Sequence, residues 1–241
     1  MLQMPSEGER LLRAGNGLVE AGRAAEAETA FRDAARLLDA TPGPDLASAL
    51  NNLATCLAER GELERALPVI RRAVQVAAAA LPPESRAQVA GNLAQVLIRL
   101  GESEAARPYA EEAIHLAEDA RSPYVAVALL YRIEIQIARR DWRKAHADLD
   151  RTFECLNENH PERAPLRTIA HGLRAAAWQA AGDHKAALRE FEIAVTLGEQ
   201  LPGWNDSPEK QRMLSQYAQS MRKTGNKRGA EEIVRKLRVR N

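Results

Sequence analysis

Leu50-Asn51-Asn52-Leu53-Ala54-Thr55-Cys56-Leu57-Ala58-Glu59-Arg60-Gly61-Glu62-Leu63-Glu64-Arg65-Ala66-Leu67-Pro68-Val69-Ile70 carries the period on which the rest of the chain is built. Small or apolar residues return every three or four positions on both sides of Gly61-Glu62, the spacing of one helical face and not the alternation of a strand. Ala54 stands seven residues before the glycine, Ala66 five after it and Ile70 nine after it. The segment therefore reads as two helices joined by a tight turn, with small residues where they approach each other.

The same pattern recurs along the chain. Turn openers fall at Gly22-Arg23, Gly61-Glu62, Gly101-Glu102, Arg140-Asp141, Gly182-Asp183 and Gly225-Asn226, at intervals of 39, 40, 39, 42 and 43 residues. Five residues after each opener comes Ala27, Ala66, Ala106, Ala145, Ala187 or Ala230. Nine after it comes Phe31, Ile70, Ala110, Leu149, Phe191 or Val234. Seven before it stands Gly15, Ala54, Ala94, Ile133, Ala175 or Ala218. A fixed period of this length means stacked units sharing one core.

Helix boundaries follow from local chemistry. Ser6 with Glu9 makes a capping box, Ser122-Pro123 and Ser207-Pro208 put an N-cap before a first-turn proline, and Asp141, Asp183 and Asn226 cap second helices. Pro42, Pro82-Pro83, Pro161 and Pro202 separate the units. The expectation is an all-α solenoid, a right-handed superhelix of about six hairpins forming a single domain over 1–241. The approximate repeats are 6–41, 45–81, 83–121, 122–160, 161–202 and 207–241. The fourth unit departs most, with Arg140 in place of the turn glycine and Arg132 and Gln136 at expected apolar positions.

Composition agrees with close helix packing: of 241 residues, 45% are hydrophobic but only 4% aromatic, so the core must come from Ala, Leu, Val and Ile. The net charge is +1. Cys56 and Cys155 are too few and too far apart for a disulfide framework or a thiolate zinc site, which points to a reducing compartment. Met1-Leu2-Gln3-Met4-Pro5-Ser6-Glu7 lacks a leader pattern, and no uncharged run approaches the roughly 20 residues of a membrane span. A cytoplasmic location is expected.

No spacing assembles a catalytic or metal constellation. His115, His146, His160, His171 and His184 are scattered and lack a zinc-protease interval. Gly15-Asn16-Gly17 lies in a helical pattern without a preceding strand, and Glu111-Glu112 and Glu231-Glu232 read as solvated faces. No enzyme activity, cofactor or metal is expected.

The recurring small residue, turn glycine and following alanine resemble tetratricopeptide repeats. The second and third units, with Leu50-Asn51-Asn52-Leu53-Ala54 and Ala66-Leu67-Pro68, then Gly91-Asn92-Leu93-Ala94 and Ala106-Arg107-Pro108, look like the long repeats of kinesin light chains and similar bacterial proteins. The resemblance implies that first helices line a concave groove and that the protein is an adaptor taking a protein or peptide segment there. Groove residues would be Asn16, Asn51, Asn52, Thr55, Asn92, Gln95, Arg99, Tyr131, Glu134, Gln179, Gln219 and Arg222.

Asn52 and Asn92 each precede a turn glycine by nine residues and are expected on equivalent rungs, where an amide can donate to and accept from a peptide backbone. The alternative is that they bond to neighbouring helices and fix the stacking. Arg99 is a candidate for a carboxylate and Tyr131 for an apolar anchor. A second feature is the end of the chain: residues 210–241 carry +8 and the remainder −7. Arg222, Lys223, Lys227 and Arg228 would there meet an acidic partner or nucleic acid, or simply be the solvated face of a last helix.

Overall fold

The structure, a computed structural model, describes residues 4–156 and 163–238. Met1, Leu2, Gln3, His160, Pro161 and Arg240 lie outside it, as do the side chains of Pro208, Lys236 and Arg238. Twelve α-helices and no strands are found among the described residues: α1 (Glu7–Glu20), α2 (Ala24–Leu38), α3 (Pro44–Glu59), α4 (Leu63–Ala80), α5 (Pro83–Arg99), α6 (Ser103–Asp119), α7 (Val125–Ala138), α8 (Trp142–Cys155), α9 (Ala164–Ala181), α10 (His184–Gly198), α11 (Pro208–Lys223) and α12 (Lys227–Arg238). A short 3-10 turn at Trp204–Asp206 precedes α11. Consecutive helices pair as hairpins stacked side by side, an all-α solenoid. The chain falls into two compact units, residues 1–131 and 132–241, with the division inside α7.

Each hairpin turn reverses the chain through a left-handed residue. Gly22, Gly61, Gly101, Gly182 and Gly225 have φ between 71° and 92°, where the lack of a Cβ removes the steric penalty. At the second turn Gly61 N–H donates to Ala58 O at 2.9 Å and Glu62 N–H to Leu57 O at 2.9 Å. Arg140 adopts the same geometry at φ 60°, with Arg140 N–H on Ile137 O and Asp141 N–H on Gln136 O.

The expected caps form at Ser6 (Glu9 N–H, 3.2 Å), Asp141 (Lys144 N–H, 3.4 Å), Asp183 (Ala186 N–H, 2.9 Å), Ser207 (Lys210 N–H, 3.1 Å) and Asn226 (Gly229 N–H, 2.9 Å). Ser122 differs. Its Oγ accepts from Tyr124 N–H, and α7 begins only at Val125, because Ser122 is buried and donates its hydroxyl to Glu84 of α5 at 2.7 Å.

In the first unit, the alanines five residues after each turn are fully buried, and so are Phe31 and Ile70 one helical turn further on. Ala113 and Ile114 of α6 pack with Ala90 of α5 and with Ala128 and Leu129 of α7. Gly91 lets the Tyr124 ring lie against α5, since a Cβ there would collide with the tyrosine hydroxyl. The first two hairpins are also tied by charge: buried Glu28 of α2 pairs with Arg32 and, at 2.6 Å, with Arg60 at the end of α3.

In the second unit, Phe191 and Ala194 of α10 are sealed by Met213, Tyr217 and Trp204, the last pressed against Gly198. The irregular fourth hairpin is held by polar groups. Arg132 of α7 makes two bonds, 2.7 and 2.8 Å, to the carboxylate of Asp148 on α8, and Gln136 donates to it at 2.7 Å. Asp148 is buried, so two polar residues on α7 and an acid on α8 replace an apolar contact as a matched set.

Candidate partner-binding wall

In the first unit, α1, α3 and α5 stand next to one another, and their asparagines join into one row of amides. Asn92 Nδ2 donates to Asn51 Oδ1 at 2.9 Å, Asn51 Nδ2 to Asn52 Oδ1 at 3.3 Å, and Asn52 Nδ2 to Asn16 Oδ1 at 2.9 Å. Asn52 and Asn92 thus do not bond to each other; Asn51 stands between them. The carbonyl of Asn92 and the amino group of Asn16 are the two terminal groups that the row does not use. Asn16 is exposed, and Asn51, Asn52 and Asn92 are half-buried.

Thr55 donates to the Asn51 backbone carbonyl at 3.0 Å, a local helical bond. Gln95 is exposed on α5. Arg99 reaches across to α3, where its guanidinium donates to Ala58 O at 2.7 Å and so caps a neighbouring helix end. Tyr131 is half-buried on α7. Cys56 on α3 is buried; burial, followed by the charges of Glu59 and Glu28, pushes its thiol above the ordinary range, which favours the thiol over the thiolate.

In the second unit, Glu134 on α7 is pushed above the usual carboxylate range by burial, with Arg212 of α11 pulling the other way. Gln179 is committed to α11, donating to Gln216 O and to Ser220 Oγ, both at 2.8 Å. Gln219, Arg222, Lys223, Lys227 and Arg228 are exposed, with Arg228 3.5 Å from Glu232.

A cluster of rings and charges that no sequence motif marks lies among α8, α9 and α10. The His146 ring rests on Trp178 with centroids 4.2 Å apart, and Phe153 meets His171 at 4.6 Å. Arg174 lies 4.3 Å above Phe153 and bonds to Asp150 at 2.6 Å. His171 Nδ1 is 2.7 Å from Glu190. Burial, followed by Arg174, lowers the pKa of His146. No sequence interval marks this group, because it is assembled by stacking. No set of three or more metal-ligating side chains converges among the described residues, and none of the described helices is long and apolar enough to cross a membrane.

Stacked hairpins of paired helices define a helical repeat protein. A tetratricopeptide repeat model matches residues 9–79 and 45–119, and a second matches residues 169–192. The chain belongs to the tetratricopeptide repeat family. No curated protein matches it in sequence. Among solved structures, a tetratricopeptide repeat protein from Parabacteroides merdae is 20% identical, with TM-score 0.63 over 95% of this chain and 78% of that one. PilW, a type IV pilus biogenesis factor, is 17% identical, with TM-score 0.71 over 98% and 94%. A Rap protein complexed with competence and sporulation factor is 15% identical, with TM-score 0.68; this chain spans 97% of itself and 64% of that protein. At such identities the likeness is one of fold. Proteins of this fold are generally non-enzymatic scaffolds for protein–protein interaction.

Proposed function

We propose that this protein is a non-enzymatic adaptor whose first-helix wall over α1, α3 and α5 holds an extended segment of a partner protein. The observation that carries the reading is the asparagine row, with a free carbonyl at Asn92 and a free amino group at Asn16. A peptide backbone offers both complementary groups, and uncharged amides bind it without dictating its side chains. The Rap protein of similar fold, solved with a bound factor, supports this class of function. Two free cysteines, one of them buried, suit a reducing cytoplasmic setting.

Each net hydrogen bond contributes about 0.5–1.5 kcal/mol. Backbone contacts at the two ends of the row therefore give modest affinity, and side-chain contacts, with Gln95 and Tyr131 in reach of the same first helices, must add the rest. Capture of partners from lysate, mapping of the bound segment and titration with the corresponding peptide test the reading. Asn92→Ala combined with Asn16→Ala should weaken that peptide about three- to tenfold while helicity is kept. Unchanged affinity would assign the row to scaffold alone.

A further inference from the structure

The last hairpin differs from the others in how its second helix is closed. Nine residues after the turn, Phe31, Ile70, Ala110, Leu149 and Phe191 are buried; twelve after it, Ala34, Ala73, Ala113, Thr152 and Ala194 are buried as well. The counterparts on α12, Val234 and Leu237, are only half-buried. The reason is visible one hairpin earlier, where Met213 and Tyr217 of α11, four residues apart, lie over Phe191. No helix does the same for α12 among the described residues.

Beside Val234 is a cleft of about 330 Å³ lined by Arg222 of α11 and by Glu231, Val234 and Arg235 of α12. Arg222 and Arg235 are exposed and neither forms an ion pair among the described residues, whereas Glu232 already has Arg228 nearby. Two guanidinium groups against the single carboxylate of Glu231 leave the cleft net positive beside Val234, which selects an apolar residue flanked by carboxylates. Helical spacing is favoured, because a helix with apolar residues four apart is what closes the equivalent stripe of α10.

We propose that this end face is a second docking surface, separate from the asparagine wall, and that it takes an acidic amphipathic helix of a partner protein lying across α11 and α12. Nucleic acid fits the cleft less well, because no aromatic ring lines it for base stacking.

The test uses the full chain and two labelled peptides. One has the α11 sequence, residues 208–223; the other is the same peptide with Lys210→Glu, Arg212→Glu, Arg222→Glu and Lys223→Glu. Both keep the Met213 and Tyr217 spacing, so they differ in charge alone. The acidic peptide is expected to bind at least about tenfold more tightly than the basic one. In the protein, R222E with R235E should reverse that preference, and Val234→Ser should weaken the acidic peptide; circular dichroism checks the fold. If the double variant does not fold, R222Q with R235Q must abolish the preference instead. Equal binding of the two peptides, or an unaltered preference in the arginine variants, would overturn the proposal. So would a duplex oligonucleotide outcompeting the acidic peptide, or self-association of the full chain in sedimentation that the arginine variants remove.

Discussion

Arg140 holds a left-handed backbone conformation at φ 60°, which for a residue with a Cβ costs about 1–2 kcal/mol. Glycine serves at the other five turns, so Arg140→Gly should raise stability by about 1 kcal/mol, less the extra freedom glycine gives the unfolded chain. Urea denaturation of the two proteins measures it. His146 supplies a pH dependence of definite sign. Its folded pKa is lowered, chiefly by burial and then by Arg174, with Asp150 and Glu190 opposing. The neutral ring is therefore the native form: its contribution is complete above the unfolded value of about 6.5 and is lost as pH falls through the lower folded value. Thermal midpoints should drop across that interval, and His146→Gln should flatten that part of the profile. Trp178 fluorescence, reporting the ring it touches, should change over the same range.

At the scale of the helix pair, the fourth hairpin shows what matched substitution means. Asp148→Ala leaves Arg132 and Gln136 without their shared acceptor and should destabilise by about 3 kcal/mol, as when one partner of a buried pair is removed. Replacing Arg132, Gln136 and Asp148 together by leucine should recover most of that loss. Denaturation of the single and triple variants decides between them. This hairpin also marks how far the sequence could be read. Turn and alanine offsets are local and repeat six times, so they place the helices. Arg132 and Gln136 stand out as departures for the same reason, but their partner is seen only once α8 is laid against α7. Asparagine pairing was less legible still. Equal distance from a turn glycine puts Asn52 and Asn92 on equivalent rungs, but that Asn51 is the residue bonded to Asn92 emerges only when α5 is laid against α3. Arg99 went to a helix end for a similar reason: a cation near an open carbonyl is favoured, and Ala58 O supplies one. The rings around His146 come from three helices and leave no interval to find.

At the scale of the whole molecule, each hairpin relies on the next for cover, so stability is set by neighbours more than by length. Within the second unit, α12 should exchange its amide hydrogens faster than α10, whose stripe is closed by α11; hydrogen-exchange mass spectrometry reads this directly. Adding the acidic α11 peptide should slow exchange in α12 and leave α10 unaffected. The charge arithmetic, +8 over residues 210–241 against −7 elsewhere, brings acidic partners to that end faster at low ionic strength. The asparagine row has a different consequence, because it has a sense. Every amide points the same way, from α5 through α3 to α1, and turning one over sets like groups face to face unless its neighbours turn too. A visitor at Asn92 that must be given hydrogen instead of oxygen asks the whole file to reverse, and the vacant group on α1 reverses with it.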